Sequence, residues 1–294
     1  MEKLSYYAFV AALIAMGLAC VLYLAHVLSG LRVARMQTAG LPVRTGTLGL
    51  VAGPRPAAFW RYGSILGWLG FAFLTAWLVF RTLATGHGPF ANMHEFAVAF
   101  AWGMLGAYHW FGRAYHLGVL GLLVLPLATG MMVYAATVPS TIEPLVPALQ
   151  NNLLLTVHVA VAIVAYGSFS IAFGAAVLFL IQPAGSRWGL PEPAILDEIG
   201  HKAVVIGFPF LTATIVLGAI WAEVAWGSYW SWDPKESASL VTWLIYAAYL
   251  HARVVRAWTG RRAAILLLVG FAATLLTYFG NYFFGGLHSY AGLG

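Results

Sequence analysis

Apolar residues fall in long blocks along this chain, separated by shorter connections that carry the charges. A helix that crosses a membrane needs about 20 apolar residues, because each adds ~1.5 Å across a hydrocarbon core of ~30 Å. Eight blocks meet or approach that length: approximately 6–29, 63–83, 95–111, 115–136, 152–181, 203–223, 238–257 and 263–284. The third is the shortest. The fifth is long enough to tilt or to project beyond the lipid. No internal repeat and no second domain is visible, so residues 1–294 are expected to form one transmembrane unit. The predicted class is all-α, a polytopic membrane helix bundle of about eight helices.

Composition supports lipid as the solvent. Of 294 residues, 62% are hydrophobic and 8% are charged, against about 25% charged in soluble domains. The net charge of +6 is uneven along the chain and reads as a topology signal rather than a nucleic-acid footprint. Twelve basic residues fall in alternate connections: Arg32, Arg35, Arg44, Arg55, Arg61, Arg113, Arg187, Lys202, Arg253, Arg256, Arg261 and Arg262. The opposite side has three, Lys3, Arg81 and Lys235. The positive-inside rule then places both termini outside, with the connections near 84–94, 137–151 and 224–237. The single cysteine, Cys20, excludes an internal disulfide framework. No C-x-x-C-H occurs, so the chain is not itself a c-type cytochrome. The first block lacks a clear cleavage site and is expected to be a retained helix.

The most informative segment is WAEVAWGSYWSWDPKE, Trp221 to Glu236. Trp221, Trp226, Trp230 and Trp232 fall within twelve residues of a connection, 221–238, that the charge count places outside. An interfacial aromatic belt accounts for one or two Trp per helix end. Four, interleaved with Gly227, Asp233, Pro234, Lys235 and Glu236, read instead as a flat aromatic platform for a flat ligand such as a porphyrin. Gly227 would let backbone approach that ligand closely. Pro234 would stiffen the return into the next helix. Asp233, Lys235 and Glu236 are candidates to fix the loop. Lys235 and Arg81 are the basic residues placed to meet a ligand carboxylate.

Histidines supply candidate iron ligands. His158, near the outer end of the fifth block, and His288, in the tail, share the predicted side of the Trp loop. Each also has a plainer reading, His158 as an interhelical hydrogen-bonding group and His288 as a solvated tail residue. His251 lies ~20 Å into the seventh block. It is an ionisable residue within a membrane helix and so a functional candidate, or a group that snorkels beside Arg253. His87, His94 and Glu95 occupy the external connection before the third block. There Glu95 would favour the helix start or meet a partner or ligand. His26, His109, His116 and His201 map to the inner side as interfacial residues, His26 also as a minor ligand candidate.

The string W-G-x-x-W-x-W-D-P-K-E, Trp226 to Glu236, resembles the tryptophan-rich signature of the haem-handling proteins of cytochrome c biogenesis. With eight helices, YLHAR at 249–253 and GLHSY at 286–290, the chain resembles the CcsA/ResC family. CcmC and CcmF share the Trp motif in different surroundings. P-F-x-N-M-x-E, Pro89 to Glu95, is similar to that family's connection before the third helix, with His94 where tyrosine is expected. The resemblance implies an external site in which the Trp loop holds haem b between His158 and His288. It implies that His251 holds haem on its way from the inner side. In fused relatives a CcsB portion supplies the second ligand there. This chain has none, so a separate CcsB/ResB-type membrane partner is implied. The remaining partner is an apocytochrome c bearing C-x-x-C-H, and the setting is the bacterial cytoplasmic membrane.

No nucleophile or acid–base pair stands out, so no catalytic residue is assigned. The contribution to thioether formation would be orientation, as a subunit of a holocytochrome c synthase. Two other functions use the same residues. A haem exporter would need the inner site but no haem retained outside. A b-type respiratory electron carrier would place paired ligands within facing helices, whereas the candidates here lie at helix ends and in a tail.

Overall fold

The computed structural model describes residues 1–38, 56–115, 118–142, 149–150, 152–182 and 191–288. Arg44, Arg55, His116, Arg187, Ser289 and Tyr290 lie outside the described residues. Among those described are eight α-helices and no strand: α1 Glu2–Thr38, α2 Pro56–Thr85, α3 Met93–Tyr115, α4 Gly121–Thr137, α5 Asn152–Ile181, α6 Pro193–Trp226, α7 Pro234–Val255 and α8 Arg261–Phe279. Seven of these are long and apolar enough to cross a membrane. The chain is a multi-pass membrane helix bundle, as the blocks predict.

The exception is α3, which carries His94, Glu95, His109 and Arg113. It still runs the length of the bundle. Arg81 near the end of α2, Glu95 at the start of α3, and Ser140 and Thr141 just beyond α4 all meet at one end. An α3 that begins beside the end of α2 and hands over to α4 must therefore pass between the two ends. It can be less apolar because protein surrounds it. Ala97, Val98, Ala99, Phe100, Ala101, Met104 and Leu105 are all buried, and α3 packs against α2, α4 and α5. Lipid-facing helices lack that cover and must be apolar outward.

Helix α1 pairs with α2, α5 with α6, and α7 with α8, while α5 also touches α3 and α8 and joins the two halves. Small residues allow the close approaches. A methyl group at Gly167 would meet the Gly103 carbonyl at 2.6 Å, so α3 and α5 cross nearly backbone to backbone. Several helices outrun their apolar blocks. Helix α6 starts at Pro193 rather than near 203, adding Asp197, Glu198, His201 and Lys202 at the end opposite the Trp loop. Asp197 there accepts from Arg253 at 2.7 Å and from the Gly260 amide at 3.0 Å, tying α6 to the α7–α8 turn. Helix α7 starts at Pro234 rather than 238. Asp233 caps it by accepting from the Lys235 amide, and Glu236 reaches back to the Asp233 amide. The D-P-K-E string carries this signal: a capping acid, Pro at the first helical position and Glu at the third.

Candidate functional site

The Trp loop, the start of α3, the start of α5, the end of α8 and the tail converge at one end of the bundle, called here the loop end. Between them lies a cavity, part of it open to the exterior. Its walls are mostly apolar. Phe96 and Phe100 come from α3, Val159 and Ile163 from α5, Trp221 from α6 and Tyr278 from α8. Polar groups enter at few points, among them His158, Lys235, Glu236, Thr214 and His288. An apolar space with sparse, convergent polar groups is the usual form of a small-molecule site.

Both candidate iron ligands line this cavity. The His158 ring lies nearly parallel to the Trp221 indole, 14° between planes and 6.4 Å between centroids. The His288 ring lies 5.8 Å from the same indole and 4.9 Å from that of Trp226. His158 Nδ1–H donates to the Thr214 carbonyl at 3.0 Å across the α5–α6 seam. His288 Nδ1–H donates to Asp233 Oδ1 at 2.7 Å. In both rings the neutral tautomer so fixed leaves Nε2 as the lone-pair nitrogen. His158 fits because residue 218 is glycine. A Cβ there would stand 2.9 Å from His158 Cε1. Among the described residues, no group of three or more His, Cys, Asp and Glu is arranged to hold a bare metal ion. Two imidazoles on one apolar cavity instead suit an iron whose other four ligands come from a macrocycle.

The tryptophans do not form the flat platform expected from the sequence. Trp221 and Trp226 meet at 71°, and Trp230 and Trp232 at 89°. Indole edges are positive and faces negative, so close pairs favour this edge-to-face geometry. The result is an angular cradle. Trp221 and Trp230 line the cavity, and Trp226 stands behind Trp221 and against His288. Trp232 is 71% exposed and does not line the cavity. Its backbone has φ +58°, an outlier for a bulky side chain and a local strain of about 1–3 kcal/mol. Glu236 holds that turn. Its Oε2 accepts from the Ser231 and Asp233 amides at 2.8 and 3.2 Å and receives the Ser231 hydroxyl at 3.2 Å.

Gly227 ends α6 in the left-handed conformation, φ +73°, with its N–H donating to the Glu223 carbonyl, the usual use of glycine at a helix stop. Asp233 is more than a loop-fixing residue. Besides the Lys235 amide and His288, it receives the Leu287 amide at 2.6 Å. Burial raises its carboxyl pKa, but the hydrogen bond from His288 and those from the two amides outweigh this and hold it below the usual carboxylate range. Lys235 reaches the cavity, its ammonium 5.8 Å from the centroid of the Phe96 ring.

Arg81 and Glu95 are not ligand contacts. They form a buried ion pair at 2.7 Å, with side chains 4% and 1% exposed. The pair is satisfied on both sides by the Ser140 carbonyl and the Ala91 amide. His94 is buried against the Ala135 carbonyl. His251 is exposed on α7 and lines no part of the cavity, so it is not brought together with His158 and His288. Sequence reasoning missed Phe96, Phe100, Thr214 and Tyr278. Single aromatics and a backbone carbonyl inside apolar helices carry no motif. Tyr278, whose hydroxyl is buried and without a hydrogen-bond partner, is among the residues that line this space.

The cytochrome c assembly protein family matches residues 90–288, from the connection before α3 to the tail histidine. The chain is similar to the cytochrome c biogenesis protein CcsA of Synechococcus sp. (strain JA-3-3Ab), at 35% identity over 74% of this chain and 81% of that protein. It is also similar to CcsA of Guillardia theta, at 35% identity over 79% and 85%. CcsA of Chlamydomonas reinhardtii is 39% identical over 72% and 64%. Among solved structures, cytochrome c haem lyase CcmF has the same fold at TM-score 0.57 and 23% identity, covering 91% of this chain. The chain spans 46% of CcmF's length. A multi-pass helical membrane protein with this cavity is thus the class. Within it, the chain belongs to the cytochrome c assembly family and resembles its CcsA members.

Proposed function

We propose that the chain presents haem b at the loop end for covalent attachment to apocytochrome c. The observation that carries this reading is that His158 and His288 pack on one indole, Trp221, and line one apolar cavity. The porphyrin would lie against Trp221 and Trp230, and His158 and His288 are the residues that would hold its iron. Arg81 is occupied by Glu95, so Lys235 is the cation that meets a propionate. An iron held by two strong axial ligands is kept from dioxygen and solvent until a histidine of the substrate displaces one of them.

The attachment joins each cysteine of a C-x-x-C-H segment to a haem vinyl group. The S–H adds across the vinyl C=C, a C–S bond forms, and the hydrogen goes to the terminal carbon. The addition consumes no oxidant and leaves no by-product. The chain's part is to fix the haem edge toward the incoming thiols, which raises their effective concentration. The loop end is on the external face of a bacterial cytoplasmic membrane, with both termini outside and residues 1–294 acting as a single domain. A CcsB/ResB-type membrane protein completes the machine and, with His251, holds haem arriving from the inner side.

The test is cytochrome c maturation in cells expressing the His158→Ala/His288→Ala chain. Maturation is lost while the protein still inserts at normal abundance. Normal maturation rejects the loop-end site. Loss of maturation with haem still bound at the wild-type level favours a separate export role for the cavity.

A further inference from the structure

The two imidazoles are held by different acceptors. His158 donates to a neutral backbone carbonyl, whereas His288 donates to the carboxylate of Asp233, a residue 6% exposed. Asp233 is built into its place from three directions. It caps α7 through the Lys235 amide at 2.9 Å, receives the Leu287 amide at 2.6 Å, and accepts the His288 ring N–H at 2.7 Å. Gly286 lets the tail pass over it, because a Cβ there would collide with Asp233 Oδ2. One carboxylate thus closes the tail onto the Trp loop and orients its histidine.

We propose that Asp233 is the positioning residue of His288: it fixes Nε2 toward the cavity and makes this imidazole the stronger electron donor of the two. The inference rests on the haem reading above. A carboxylate accepting from Nδ1–H pulls the proton away from the ring and enriches the electron density at Nε2, which a carbonyl does only weakly. A stronger donor favours ferric over ferrous iron. The two axial ligands are therefore unequal in donor strength by construction. Asp233 also transmits tail closure to the start of α7, because the same side chain caps that helix.

The test is haemin binding and spectroelectrochemistry on the full-length, detergent-purified chain. Asp233→Asn keeps an acceptor for the cap, since Asn is as good an N-cap as Asp, but removes the charge. Losing such an outer partner typically weakens metal binding 10–100-fold. Asp233→Asn is expected to weaken ferric haemin binding at least tenfold, with ferrous binding less affected. A tenfold loss of ferric preference raises the one-electron midpoint by about 59 mV. In the His288→Ala background the same substitution has a much smaller effect, because the charge no longer acts on a ring and only an amide bond such as that of Leu287 is still lost. An equal loss in both backgrounds overturns the proposal and leaves Asp233 as a helix cap only, as does an unchanged midpoint. If Asp233→Asn fails to insert, Asp233→Ser, which keeps a capping hydroxyl but cannot reach His288, carries the same cycle. Haemin affinity unchanged by His288→Ala alone would instead overturn the underlying haem reading.

Discussion

Removing Arg81 isolates the consequence of one buried charge for the whole loop end. Glu95 is 1% exposed beside Arg81, and in Arg81→Ala its carboxylate would keep only the Ala91 amide, now 2.8 Å from Oε2. Breaking a buried pair by removing one partner costs about 3–5 kcal/mol, because the survivor is an uncompensated charge. That is a large share of a total stability of about 5–15 kcal/mol. At about 2–4 °C per kcal/mol for chains approaching this size, it corresponds to a fall in thermal midpoint on the order of 10 °C. The loss is local first. Arg81 also holds the Ser140 carbonyl, and Glu95 holds the connection that places Met93 and Phe96 on the cavity wall. The assay is thermal unfolding of the detergent-purified protein, read beside retained haem. Arg81→Met/Glu95→Leu, which removes both charges, should recover most of the stability, as apolar replacement of buried pairs often does. Unfolding of Arg81→Ala within 2–3 °C of wild type, or a double variant less stable than the single, would show that Glu95 is not left as an uncompensated buried charge.

Other expectations follow from the same geometry. Gly218→Leu fills the space taken by the His158 ring, where even a Cβ comes within 2.9 Å; the haem held at the loop end should fall at least tenfold with normal insertion, and a wild-type loop-end spectrum would contradict it. Tyr278→Phe removes a buried hydroxyl with no partner. It should stabilise the haem-free protein by about 1 kcal/mol or more, given an unsatisfied group costs about 1–3, and a lower thermal midpoint would show that the hydroxyl is satisfied. His251→Ala, outside the cavity, should lower total haem on purification while the haem held at the loop end keeps its spectrum; unchanged total content would assign His251 a structural role.

The eight blocks were legible because a membrane span leaves a length signature that no local context hides, and α5 runs over 152–181 in the sequence pattern and the structure alike. The ends of α6 and α7 were less so. Apolarity stops at the lipid, whereas the helices continue to Pro193 and Pro234 on capping and charge pairing that a hydropathy pattern ignores. At the site, the Trp cluster and the pair His158 and His288 stood out by composition and side, and the fold places both histidines on one cavity. Ring orientation was not legible. The 71° and 89° angles come from packing between elements distant in sequence. Nor was the fate of Arg81, since its partner Glu95 is set by how α2 meets α3. The Asp233–His288 bond joins residues 55 apart, and only a folded tail brings them together.

The most direct measurement is the visible absorption spectrum of the detergent-purified chain, oxidised and reduced, for wild type and for His158→Ala and His288→Ala singly. A low-spin, six-coordinate spectrum is expected in the wild type and a five-coordinate, high-spin shift in each single variant, reversed by added imidazole. A low-spin spectrum unchanged by either substitution would contradict it.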